Sequence, residues 1–233
     1  AFNFKAENIC FENSFNLYMT EREIADGIEK IDSKEYGQSK CKTNEERLSL
    51  DIKVGEYHNK ERAAALVCEG DNAAFINCIF KSSQDTLYAG HGSQEYINCT
   101  VFGNVDYIFG EEDVRVNFIN CDLIWLGYSG EKAAPGIICA PKGIFTFYKC
   151  SIKKNNEPGY KSLPGYLARP WRASGSVLFY KCDIGKDCIC NEGFTEMNGV
   201  LPEEAAFFEY MNTCEGRAFN TERGKILVRI CYR

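Results

Sequence analysis

No apolar run in the sequence approaches the roughly 18 residues that a membrane-spanning helix needs, so no such helix and no membrane partner is expected. Clustered basic charge is also missing. Lys and Arg number 27 against 33 Asp and Glu, for a formal charge of −6, which makes a poor partner for nucleic acid. Six prolines and 20 glycines are too few for a collagen-like or low-complexity chain. Histidine is scarce: only His58 and His91 occur, and the only close cysteine pair is Cys188-x-Cys190. Zinc sites want C-x-x-C units or added histidines, so no metal site is expected. No leader peptide opens the chain, which starts at Ala1 in strand-like sequence. That absence says little about targeting, because an upstream segment is readily lost from a sequence.

Aromatic residues and cysteine, in contrast, are plentiful: 16 Phe, 13 Tyr and 13 Cys in 233 residues. The length suits a single domain spanning 1–233. The cysteines recur in a frame. Phe75-Ile76-Asn77-Cys78-Ile79-Phe80 is echoed by Tyr96-Ile97-Asn98-Cys99-Thr100-Val101 and by Phe118-Ile119-Asn120-Cys121-Asp122-Leu123. Phe147-Tyr148-Lys149-Cys150-Ser151-Ile152 and Phe179-Tyr180-Lys181-Cys182-Asp183-Ile184 follow, and a related strand, Phe4–Phe11, stands near the start. The cysteine intervals are 21, 22, 29 and 32 residues.

Short units rich in aromatic and β-branched residues, repeating at just over 20 residues, mark a stacked solenoid. The L-x-x-L-x-L-x-x-N frame of a leucine-rich repeat is absent. Units of variable length with a thiol at one fixed place predict an all-β fold, a parallel β-helix. A β-sandwich with coincidental echoes is the alternative. In-register rungs hold Cβ atoms near 4.8 Å, beyond the roughly 3.5–4.5 Å that a disulfide prefers. Cys78, Cys99, Cys121, Cys150 and Cys182 are therefore expected as buried free thiols. Residues 21–62 are charged and lack the echo, and they predict a polar excursion, partly helical near 22–31.

Asp85 lies seven residues after Cys78, and Asp106 lies seven after Cys99. Stacked coils would put the two carboxylates on adjacent rungs, about 4.8 Å apart. An Asp after a strand is commonly a turn residue. The shared register favours chemistry instead, because carboxylates that close do not both ionise freely, and one can give a proton while the other attacks. Gln84-Asp85-Thr86-Leu87-Tyr88 and Asp106-Tyr107-Ile108-Phe109-Gly110 surround them with an amide and aromatic rings. Tyr166-Leu167-Ala168-Arg169-Pro170-Trp171 offers a cation able to orient a carboxylate and a flat ring able to carry a sugar.

These segments resemble the pectin methylesterase (pectinesterase) family, carbohydrate esterase family 8. Its Q-D-T-L is matched by Gln84–Leu87, its D-F-I-F-G by Asp106–Gly110 and its L-G-R-P-W by Leu167–Trp171. Weaker matches stand in the right order. Phe4–Asn13 is similar to an early strand, Ala63–Leu66 with Gly70-Asp71 to Q-A-V-A-L and G-D, and Glu209–Asn212 to E-Y-x-N. The G-x-Y-x-E that precedes these in the family is absent, as is the late Arg-x-x-Trp, which points to a fragment or a divergent member. Arg62 stands where the family has Gln.

The resemblance implies a right-handed parallel β-helix that hydrolyses methyl esters of homogalacturonan to pectate and methanol, outside cells, without cofactor or metal, as a monomer. It implies Asp106 as nucleophile, Asp85 as acid and base, Gln84 as oxyanion donor and Arg169 as the group orienting Asp106. Trp171, Arg169, Arg62 and Tyr107 are the expected substrate contacts. Arg62 has three readings: a second oxyanion donor, a partner of Asp106, or a solvent-facing arginine. Two rival functions remain at this stage: a polygalacturonase-like hydrolase, since paired acids also cleave glycosides, and an inactive pectin-binding β-helix.

Overall fold

Each copy of the aromatic–aliphatic–Asn–Cys unit is a corner between two strands. Asn8, Asn77, Asn98 and Asn120 occupy the left-handed region, with φ between 52° and 58°, and Lys149, Lys181 and Met211 take the same conformation in the later coils. Asn adopts this backbone at low cost. The corner N–H then reaches the next coil: Asn77 donates to the Ile97 carbonyl and Asn98 to that of Ile119, both at 3.0 Å. The repeated Asn is thus a structural element of the corner, and the Cys after it turns into the interior.

The protein is described by a computed structural model over residues 2–13, 63–129, 135–158, 160–214 and 217–218. Three sheets of parallel strands run along it. The first stacks Lys5–Glu7, Ala73–Ile76, Gly92–Ile97, Val114–Ile119, Ile144–Tyr148, Ser176–Tyr180 and Ala206–Tyr210. The second runs from Cys10–Glu12 through Thr100–Gly103 and Asp122–Trp125 to Thr213–Cys214, and is closed by the antiparallel strand Arg217–Ala218. The third holds Leu66–Cys68, Leu87–Ala89, Ile108–Gly110, Ile137–Pro141 and Tyr166–Ala168. Successive coils add rungs to these sheets, which is a parallel β-helix. No α-helix occurs among the described residues; Pro202–Glu204 forms one 3-10 turn. The expected excursion at 21–62 and its helical stretch lie outside them.

The interior is a column of side chains from equivalent positions. Phe75, Tyr96, Phe118, Phe147 and Phe179 stack at successive centroid spacings of 4.8, 4.6, 4.8 and 4.4 Å, all within 11° of parallel. All five rings are fully buried. The five repeated cysteines are buried beside them, and none of the described cysteines forms a disulfide. The thiols of Cys99, Cys121, Cys150 and Cys182 point at carbonyls of the preceding coil, as in Cys121 to Tyr96 at 3.2 Å and Cys182 to Phe147 at 3.4 Å.

Two of the weaker sequence matches serve the same scaffold. Asn212 accepts the Cys182 N–H at 2.9 Å, and Asn13 donates to the Ala64 carbonyl at 3.0 Å. The first ties down the last coil; the second holds the early strand against the segment that enters the third sheet.

Candidate active site

A different corner, between the second and third sheets, carries the two aspartates. Gln84 pairs with Val105 across adjacent coils, and the Asp85 N–H donates to the Val105 carbonyl at 3.1 Å. Asp85 and Asp106 therefore follow in register, one rung apart. Both take left-handed backbone, φ 58° and 48°, which a short carboxylate side chain tolerates. Their exposures are 8% and 6%, so both are largely withdrawn from water while bordering the cleft.

The corner is held from behind. Asn104 Nδ2 donates to Ser83 Oγ at 3.1 Å and to the Gly127 carbonyl at 3.0 Å, while its Oδ1 accepts the Gly127 N–H at 2.8 Å. Gly103 precedes it for a steric reason: a Cβ there would sit 2.1 Å from Cβ of Tyr107. Thr86 ties the other side, its hydroxyl donating to the Phe102 carbonyl at 3.0 Å.

Arg169 leaves the third sheet at the end of Tyr166–Ala168, its N–H bonded to the Cys139 carbonyl at 3.0 Å. Its Nε donates to Asp106 Oδ1 at 2.8 Å, and a second guanidinium nitrogen contacts Oδ2. This two-point grip fixes the plane of the carboxylate as a point charge could not. Trp171 follows, past the buried Pro170.

Gln84, Asp85, Asp106, Arg169 and Trp171 line one cleft of about 640 Å³. Gln84 is buried, and its Oε1 has no hydrogen-bond partner among the described residues. That oxygen can accept a hydrogen bond from a ligand, whereas an oxyanion would need the amide nitrogen of the same side chain as donor. A carboxylate held by an arginine, a second carboxyl one rung away and an amide beside them are groups of the kind that can attack an acyl carbon, protonate a leaving group and donate to an oxyanion.

Tyr107 is a correction. It is fully buried, its ring edge-on to Trp125 at 5.5 Å, and it lies outside the cleft. Burial pushes its phenol well above its ordinary value. The resemblance implies a substrate contact there, whereas the left-handed corner turns the side chain after Asp106 inward. Arg62 lies outside the described residues; its neighbour Ala63 is buried and donates its N–H to the Gln84 carbonyl at 3.1 Å.

Tyr88 and Phe109, which the sequence sets among the rings around the acids without assigning them a substrate contact, form an aromatic floor. Tyr88 pairs with Phe109 on adjacent rungs, rings 4.9 Å apart, and both line the cleft with Met197 and Asn198. Burial, and then the Glu111 carboxylate, push the Tyr88 phenol up to about 12. Each ring stands three residues beyond an aspartate, so the register that joined the acids also joins the rings.

Comparison with known proteins gives the family and the fold. A family model described as Pectinesterase matches residues 46–225, so the match begins inside the stretch read as an excursion. An Aspergillus niger protein named "Probable pectinesterase A" is 35% identical over 69% of this chain and 47% of its own length. The chain spans about half the length of the curated relatives it matches. Among solved structures, the pectin methylesterase from Aspergillus niger aligns with TM-score 0.61 at 31% identity, covering 75% of this chain and 57% of that one. A pectin methylesterase from Erwinia chrysanthemi aligns over 96% of this chain and 65% of its own, with TM-score 0.66 at 23% identity, a likeness of fold. Paired aspartates, an arginine fork and a parallel β-helix thus coincide with a match over most of the sequence, and the chain belongs to the pectinesterase family.

Proposed function

We propose that this chain hydrolyses methyl esters of homogalacturonan, releasing methanol and leaving pectate. The Asp106 carboxylate attacks the ester carbonyl carbon, forming an anhydride to the enzyme as the bond to methoxide breaks. Protonated Asp85 gives its proton to the departing methoxide, which leaves as methanol. Asp85 then takes a proton from water, the hydroxide attacks the galacturonate carbonyl of the anhydride, and Asp106 is released. Gln84 donates from its amide nitrogen to the oxyanion at each stage. Trp171, with Tyr88 and Phe109, packs against sugar rings. Every step is assigned to a side chain, so the scheme calls for no cofactor. Pectin lies outside cells, and we place the activity there.

The observation that carries this reading is the grip of Arg169 on Asp106, one rung from Asp85, with the Gln84 amide on the same cleft. An arginine occupying both oxygens suits a carboxylate that must attack along one direction. It suits poorly an acid that must carry a proton to a glycosidic oxygen. Methanol release from highly methylated pectin tests the reading, with Asp106→Ala as the control. Methanol should appear with the unmodified chain and vanish in the variant. New reducing ends without methanol would favour chain cleavage instead.

A further inference from the structure

Glu111 follows strand Ile108–Gly110 directly, on the rim of the same cleft, and the ester chemistry has no use for it. Ala89, Gly110 and Pro141 pair across successive coils, so the residues after them, Gly90, Glu111 and Lys142, stack on consecutive rungs. Glu69 begins the column, because Cys68 pairs with Ala89. Gly90 leaves room for it: a Cβ there would come within 2.8 Å of the Glu69 carboxylate. Two carboxylates and one ammonium therefore edge the aromatic floor.

Both oxygens of Glu111 are engaged. The Tyr88 hydroxyl donates to Oε1 at 3.2 Å and Lys142 Nζ to Oε2 at 2.6 Å. The same ammonium lies 3.7 Å from the centroid of the Trp171 ring. Among the described residues lining the cleft, the one cation is Arg169, and Asp106 holds it. Arg172, next to Trp171, donates to the Trp171 carbonyl at 2.7 Å.

We infer that Glu111 is a specificity-determining residue, which makes this cleft discriminate against free carboxylates on the sugar beside the reacting ester. The inference rests on the esterase reading. A methyl ester is neutral and can lay its methyl on Tyr88 and Phe109 at no electrostatic cost. A free carboxylate meets Glu111 on the cleft wall and finds Arg169 held by Asp106 and Lys142 held by Glu111. Accepting it means drawing Lys142 away from Glu111, which leaves a partly buried charge uncompensated. The chain then works within esterified stretches and lets go of its own product.

The test pairs activity with binding. Methanol release is measured on pectins of high and low ester content, and affinity for unesterified oligogalacturonides by calorimetry. Glu111→Gln keeps the shape and the bond from Tyr88 while freeing Lys142. Its affinity for the unesterified oligomer should rise about tenfold, the scale of one partly screened charge pair. Its low-ester to high-ester ratio of kcat/KM should rise with it. Lys142→Met should move both readouts the opposite way. A merely structural role would lower kcat/KM on both pectins alike. Unchanged affinity and ratio in Glu111→Gln, with methanol still released, would overturn the inference and leave the esterase reading standing. No methanol from any pectin with the unmodified chain overturns that reading, and this inference with it.

Discussion

Arg169 reaches Asp106 across 63 residues of sequence and binds both of its oxygens, with Nε 2.8 Å from Oδ1. The contact joins the third-sheet strand Tyr166–Ala168 to the corner that carries Asp106, so the orientation of the Asp106 carboxylate depends on two separate coils.

Replacing Arg169 by Lys should therefore be severe although the charge is kept. An ammonium cannot reproduce the planar fork, and a misplacement of about 1 Å is enough to cost about 10²-fold in kcat. Steady-state methanol release measures this, with thermal unfolding run alongside. A variant as active as the parent would mean that the grip is not catalytic.

Gln84→Ala should lower kcat by about 10²–10³, the range for losing one oxyanion donor, with KM changing far less. Gln84→Glu should be worse, since it sets a negative charge against the developing oxyanion. A rise in KM alone would make Gln84 a substrate anchor instead.

Arg62 is followed by a residue whose backbone bonds to that of Gln84, and it stands where the family has a donor. Arg62→Gln should keep turnover and Arg62→Ala should lose about 10²–10³ of it. Rates unchanged from the parent in both variants would remove Arg62 from the reaction, and a rise in both would mean that it blocks the site.

The interior ring column should dominate stability. Phe147 stacks between Phe118 and Phe179, so Phe147→Ala should cost about 3–5 kcal/mol, as for other buried rings. Tyr148, one residue on, stacks outside on Tyr180 at 5.3 Å and is only half-buried. Tyr148→Ala should cost about 1 kcal/mol, the scale of an aromatic pair. Denaturant midpoints compare the two, and equal losses would contradict the column.

Asp71 gives a pH signature. Its carboxylate accepts the Ser93 N–H, and also the Asn72 N–H and the Ser93 hydroxyl, which hold its pKa below the ordinary value. The folded state then binds that proton less readily than the unfolded chain. The resulting stability is present above the ordinary carboxyl pKa and is lost as pH falls through the lowered one. Asp71→Asn should flatten the acid limb of a plot of Tm against pH. An unchanged limb would mean that these bonds survive in the unfolded chain.

Much of this was legible in sequence because a β-helix repeats itself. Cys78, Cys99 and Cys121 set the rung spacing, and the spacing placed Asp85 beside Asp106. The frame does not say which way each side chain turns at a left-handed corner, so it could not show that Tyr107 faces the interior. Glu111 and Lys142 were out of reach for another reason. They are neighbours only because Pro141 pairs with Gly110, and that pairing depends on the length of the connection between coils, which no motif marks.

The asparagine corners also bear on how such a chain can change. They hold the connection between the first two sheets to a fixed turn, while the cysteine interval still grows from 21 to 32 residues. The added length must enter at the other connections, those that lead into and out of the third sheet, where Asp106, Arg169 and Trp171 stand. Insertions and deletions are thereby steered toward the walls of the cleft and away from the ring column. Lineages can remodel what the cleft accepts, one loop at a time, without resetting the register that aligns the two acids.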